Sequence, residues 1–96
     1  MNEKTTPYTD MYLIAALLSY GFETVETNRT NPQRQQFFFL NDEKEVHVFT
    51  DSEIVMKNLS LDQFENMYMA KRLLLLPNYP DILKSVKYKI HSYRDD

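Results

Sequence analysis

The chain has 96 residues, 43% of them hydrophobic and including seven Tyr and six Phe, enough for one compact core and too apolar for a disordered or low-complexity chain. Fourteen acids against eleven Lys and Arg give a formal charge of −3 and a pI near 5.3, which argues against a strong nucleic-acid binder. With no cysteine there is no disulfide framework, thiolate zinc site, iron–sulfur cluster or thiol catalysis, and no apolar run approaches the ~18 residues of a membrane span.

Residues 1–8 read as a flexible lead-in without the basic start or apolar run of a signal peptide, which points to a cytoplasmic protein. A single domain over 9–94 follows. Met11 to Leu18 is apolar on every face, between Thr9 as N-cap with Asp10 in the first turn and the lone glycine, Gly21. That predicts a buried helix over 9–20, with Gly21 in the left-handed position and Phe22 folding back on Leu17.

Thr24, Val25 and Thr27, then Phe37 to Leu40, are strand formers around a turn at Thr30-Asn31-Pro32-Gln33, which predicts a hairpin. Alternation sends Phe37 and Phe39 to one face and Phe38 to the other. A second turn at Asn41 to Lys44 precedes a strand over Glu45 to Thr50, with His47 on its solvent face. Glu53 to Met56 reads as a short further strand, although 52–58 also suits one or two helical turns.

Ser60-Leu61-Asp62-Gln63 is a capping box, and Leu59 before it can staple onto Phe64. Helical spacing then predicts a helix over 60–76, stopped by Pro77, and Pro80 with Asp81 opens another over 80–94. On the last helix Leu83, Val86, Ile90 and Tyr93 line one face, and Lys84, Lys87, His91 and Arg94 another. The expected fold is α+β, a small antiparallel sheet of two to four strands with three helices packed on one face, in the order α-β-β-(β-β)-α-α.

Charge is segregated. Residues 41–65 hold seven acids and two bases, and residues 71–94 hold six bases and one acid, so the basic stripe either faces the acidic segment internally or meets an outside partner. His47 and His91 stand in different elements without ligand spacing, so no metal site is expected. A single glycine cannot build a phosphate-cradling loop, turn carboxylates such as Asp42 with Glu43 or Asp51 with Glu53 lack the burial that acid–base work requires, and Ser52 and Ser60 have no His or Lys nearby in sequence, Ser60 being committed to its cap. No enzyme activity, cofactor or small-molecule substrate is therefore expected.

From Thr9-Asp10-Met11-Tyr12-Leu13-Ile14-Ala15 to Gly21-Phe22 the chain resembles a family of small bacterial and phage-encoded domains of unknown function. Their signature is a Thr/Ser-Asp-x-Tyr-Leu-x-Ala helix ending in Gly-Phe, followed by a β-hairpin and two helices. The resemblance resumes at Phe37 to Leu40, from Asp62 through Ala70-Lys71, at Pro80 and over Val86 to Ile90, and lapses over Asp42 to Asn58, which is longer and more acidic than the family's link. It implies no activity, only a gene carried by a phage or mobile element.

Two functions are in competition. The favoured one is a non-enzymatic interaction module, a regulator or inhibitor of a host system such as a defence system, binding a host or phage protein and capable of pairing with a second copy. Tyrosine-rich surface supports it. Its expected site is an acidic strand edge of Asp42, Glu43, Glu45, Asp51 and Glu53, formed if Glu45 to Phe49 closes the sheet, with Tyr79 and Tyr88 as a second surface. The competitor is a weak nucleic-acid-binding accessory protein using Lys84, Lys87, Lys89, His91 and Arg94.

Overall fold

The structure, a computed structural model, describes residues 4–31 and 34–94, the last three by backbone alone. The elements run β1 (Thr5–Tyr8), α1 (Met11–Ser19), β2 (Thr24–Asn28), β3 (Gln36–Leu40), β4 (Glu43–Phe49), β5 (Ile54–Ser60), α2 (Leu61–Met69) and α3 (Tyr79–Arg94). The fold is α+β with antiparallel strand pairing.

α1 is buried nearly all round, with Leu13 to Leu17 at most 3% exposed. Its cap is Asp10, one residue later than expected: the carboxylate, not Thr9, accepts from the Tyr12 N–H at 2.9 Å. The stop is as read from the sequence. Gly21 has φ +96°, its N–H donates to Leu18 O, and the Phe22 N–H donates to Leu17 O at 3.1 Å. Phe22 is thereby folded under the helix end and buried.

The expected hairpin is present as β2–β3, with Pro32 and Gln33 of its turn outside the described residues. Phe37 and Phe39 are buried and Phe38 is half-buried, as alternation requires. The sheet is not single, however. Within the segment expected to be a flexible lead-in, Thr5–Tyr8 forms β1 and pairs with β3 on the side away from β2, giving the order β1-β3-β2. With both sides of β3 taken, β4 does not pair with it. The Asn41 N–H donates to Lys4 O at 2.8 Å and the Thr6 hydroxyl to Asn41 Oδ1 at 2.6 Å, and the chain departs into a separate β4–β5 hairpin. Residues 54–60 are a full strand, which settles the choice between strand and helix there.

The capping box forms as read: the Gln63 N–H donates to Ser60 Oγ at 3.3 Å and the Ser60 N–H to Gln63 Oε1 at 3.0 Å. Leu59 and Phe64 on either side of it are buried. The helix it opens is shorter than predicted. α2 ends at Met69, not Leu76, because Lys71 turns left-handed at φ 61° and the chain closes a Schellman motif, with Lys71 N–H to Tyr68 O and Arg72 N–H to Met67 O, both at 3.0 Å. Residues 72–74 then run extended along β4. Leu74 N–H donates to His47 O and Phe49 N–H to Arg72 O, which seats Leu73 in the core beside Val48. Two tertiary bonds and one buried leucine thus outweigh the helical preference of this leucine-rich stretch.

α3 begins at Tyr79, with the Ile82 N–H bonded to Asn78 O, and packs chiefly on α1 through Val86 and Ile90. The Tyr79 hydroxyl donates to Tyr12 O at 3.4 Å, and Asn78 Nδ2 to Ser19 O at 3.3 Å. No helix among the described residues is long and apolar enough to cross a membrane.

Candidate functional site

The β4–β5 register pairs Glu43 with Ser60, Glu45 with Asn58, His47 with Met56 and Phe49 with Ile54, and paired residues share a face. The opposite face carries Val46, Val48 and Leu59, all buried in the core. The outer face keeps a half-buried His47 and leaves Phe49, Ile54 and Met56 40%, 49% and 54% exposed, next to one another near the hairpin tip. Large apolar side chains clustered on an outer strand face are a binding surface in soluble proteins more often than scattered ones are.

The expected open edge lies on the other strand. β4 has β5 on one side and residues 72–74 on the other, where His47 and Phe49 are bonded and Arg72 Nη1 reaches Phe49 O at 3.4 Å. β5 is the edge. The Thr50 N–H donates to Glu53 O, so by alternation the outward backbone groups are those of Ile54, Met56 and Asn58. Among the described residues no strand pairs with that side. Lys57, exposed on the core-side face, is a charge that discourages indiscriminate strand addition there.

The five predicted acids do not form one row. Asp42, Glu43 and Glu45 stand at the hairpin root, and Asp51 and Glu53 at its tip, roughly 20 Å away along a strand that rises ~3.4 Å per residue. Asp42 Oδ1 accepts from the Glu43 N–H at 2.8 Å and Oδ2 lies 3.4 Å from Lys44 Nζ. The backbone bond, ahead of the lysine, holds its carboxyl below the usual range. Glu43 Oε1 accepts from Asn58 Nδ2 at 2.9 Å, across the root of the hairpin. At the tip Glu53 acts through its backbone, its N–H bonding Thr50 Oγ1 and its carbonyl accepting from the same hydroxyl, so its carboxylate and that of Asp51 stay exposed. Acids therefore bracket the apolar patch at both ends.

Behind the root lies a cleft of about 440 Å³ whose walls include Tyr8, Asp42, Glu43, Ser60, Asp62 and Glu65. Tyr8 packs edge-on against Phe39, ring centroids 5.9 Å apart, and is 9% exposed. Burial, then the charges of Glu65 and Asp62, push its hydroxyl up to about 12. The cleft is not visible in the sequence because its walls come from four elements, β1, β4, β5 and α2, the first of them expected to be a flexible lead-in. The visible signal was the Asp62-x-x-Glu65 spacing, which puts both carboxylates on one face of α2.

The second predicted surface lies on α3. Tyr88 is 73% exposed, whereas Tyr79 is half-buried and committed to Tyr12. Lys84, Lys89 and His91 are exposed and, among the described residues, make no ion pair, and the Lys87 ammonium sits 5.5 Å from the centroid of the Tyr12 ring. The Arg94 and Tyr93 side chains lie outside the described ones. Where the sequence left open whether this stripe faces the protein's own acidic segment, α3 packs chiefly on α1 instead. Among the described residues no three of His, Asp and Glu gather to hold a metal ion. Compared with protein-family models, with curated proteins and with solved structures, the chain matches none.

Proposed function

We propose that this chain is a non-enzymatic protein-interaction module of phage or mobile-element origin, acting in the cytoplasm as a regulator or inhibitor of a host system, a host defence such as CRISPR included. The phage context comes from the resemblance of the first helix. The interaction reading is supported above all by the β4–β5 hairpin, where an unpaired β5 edge adjoins exposed Phe49, Ile54 and Met56 with acids at root and tip. Such an arrangement suits a partner that adds backbone to β5, buries apolar side chains on the outer face and carries basic groups at its rim. A pull-down from host lysate, read by mass spectrometry, tests it with two variants. Met56→Glu is expected to abolish capture of any specific partner and Asp42→Lys with Glu43→Lys to weaken it; a partner retained by both contradicts the reading.

The nucleic-acid reading keeps one observation in its favour, the exposed Lys84, Lys89 and His91 beside Tyr88 and the Tyr12–Lys87 pair. It requires a salt-dependent DNA or RNA shift that Lys84→Glu with Lys87→Glu removes. The interaction reading expects no such shift.

A further inference from the structure

We infer that the cleft between β1 and the start of α2 receives an arginine side chain of a basic partner, held by Tyr8, Asp62 and Glu65 and faced by Asp42 and Glu43. This rests on the interaction reading and names the chemical group that reading needs. The cleft continues the proposed interface, since Glu43 and Ser60, the last pair of the β4–β5 ladder, form part of its wall. A segment laid along the β5 edge therefore arrives at it.

The hydroxyl of Tyr8 is the observation that points to a visitor. The side chain is nine-tenths buried and anchored on Phe39, and the hydroxyl makes no hydrogen bond with any described residue. The hydroxyl opens on the cleft at the end of an otherwise buried ring, where it offers a fixed donor and acceptor to whatever enters. It shares the cleft with Glu65 and Asp62 and, as a phenol at neutral pH, is protonated, so it can donate to a carboxylate while its oxygen accepts from an incoming N–H. Asp62 and Glu65 make no side-chain bond or ion pair among the described residues, while Asp42 and Glu43 are partly engaged by Lys44 and Asn58. The demand is thus for a cation with several donors, concentrated on the α2 wall.

A metal ion does not meet it. Three ligating groups do not converge among the described residues, and 440 Å³ has the scale of a side-chain or ligand pocket. A guanidinium does, because its planar fork carries five N–H donors that can bond the paired carboxylates of α2 and the Tyr8 oxygen together, with the phenol ring as an apolar wall. An ammonium offers three donors from one point and leaves part of this set unmet.

The test titrates a blocked tetra-arginine peptide, and its tetra-lysine counterpart, into the full chain at low salt, with NMR amide shifts and calorimetry as readouts. Expected are shifts centred on Tyr8, Asp62 and Glu65 and arginine binding several-fold tighter than lysine. Asp62→Asn with Glu65→Gln should weaken tetra-arginine binding roughly tenfold and Tyr8→Phe about threefold. The charge-matched control at the tip, Asp51→Asn with Glu53→Gln, should change it less than about twofold. Equal losses in the two carboxylate pairs, or wild-type shifts centred on the hairpin tip, overturn the cleft and leave the acidic interaction face standing. A wild-type chain that binds neither peptide overturns the cleft and the basic partner together. The wild-type map needs no variant, so a substitution that impairs folding does not rescue the proposal.

Discussion

Substituting Lys71 distinguishes the observed end of α2 from the longer helix that residue spacing predicts. Lys71 sits at φ 61°, where a residue with a Cβ costs roughly 1–2 kcal/mol more than glycine. Glycine gives back about 0.5–1 kcal/mol of that through the greater backbone entropy it loses on folding. Lys71→Gly should therefore stabilise the chain by about 0.5–1 kcal/mol, or roughly 2–8 °C in Tm for a domain of this size. Lys71→Ala makes the same charge change but keeps the Cβ, and should bring no gain. Side-chain loss does not confuse the comparison, because Lys71 is exposed and makes no side-chain bond or ion pair among the described residues. In a helix continuing to Leu76 the order inverts, with glycine about 1 kcal/mol worse than alanine. Urea denaturation of the three chains with a shared m-value reads the order directly. Alanine above glycine would refute the Schellman stop and, with it, the pairing of residues 72–74 along β4.

Three further outcomes follow from the same structure. Gly21→Ala should lose about 0.5–1 kcal/mol by urea denaturation, the left-handed cost less the backbone entropy that glycine gives up, and the loss is conformational, because a Cβ there meets nothing within 4 Å while φ is +96°. Ser60→Ala should lose about 0.5–2 kcal/mol, since it removes the oxygen that accepts from the Gln63 N–H, and a thermal melt measures it. Tyr8 carries its folded-state pKa at about 12 against an ordinary 10, so its contribution to stability is intact below pH 10 and is lost as pH rises from 10 toward 12. Over that window Tyr8→Phe should lose less stability than the wild type, and parallel pH profiles would contradict the placement of its hydroxyl.

Much of the fold is legible in local chemistry. The Gly21 stop, the Ser60 capping box and the alternation of Phe37 to Phe39 are short-range signals, each complete within a few residues, and each appears in the structure. β1 was not legible, because Thr5–Tyr8 contains Pro7 and has no alternating pattern to mark it, and its strand state is conferred by pairing with β3. Lys71 hid the end of α2 for a related reason: without a glycine, nothing local announces a left-handed residue, and bonds to His47 and Phe49 decide the issue from afar. The same division holds for the site. Charge segregation pointed to Asp42 through Glu53, but which strand is the edge depends on residues 72–74, beyond the whole of α2 in the chain. Tyr8, Asp62 and Glu65 meet only in three dimensions, and Asp62 alone reads as an ordinary first-turn acid.

Recognition of a partner at the β4–β5 hairpin and not at α3 is the claim on which the proposed function stands. Association rates for the captured partner, measured at low and high salt for wild type, Asp42→Lys with Glu43→Lys, and Lys84→Glu with Lys87→Glu, test that claim most directly. Reversal at the hairpin root should slow association about tenfold or more at low salt, with little recovery as salt is added, while reversal on α3 should leave the rate within about twofold. A rate untouched by the root reversal and reduced by the α3 reversal would contradict it.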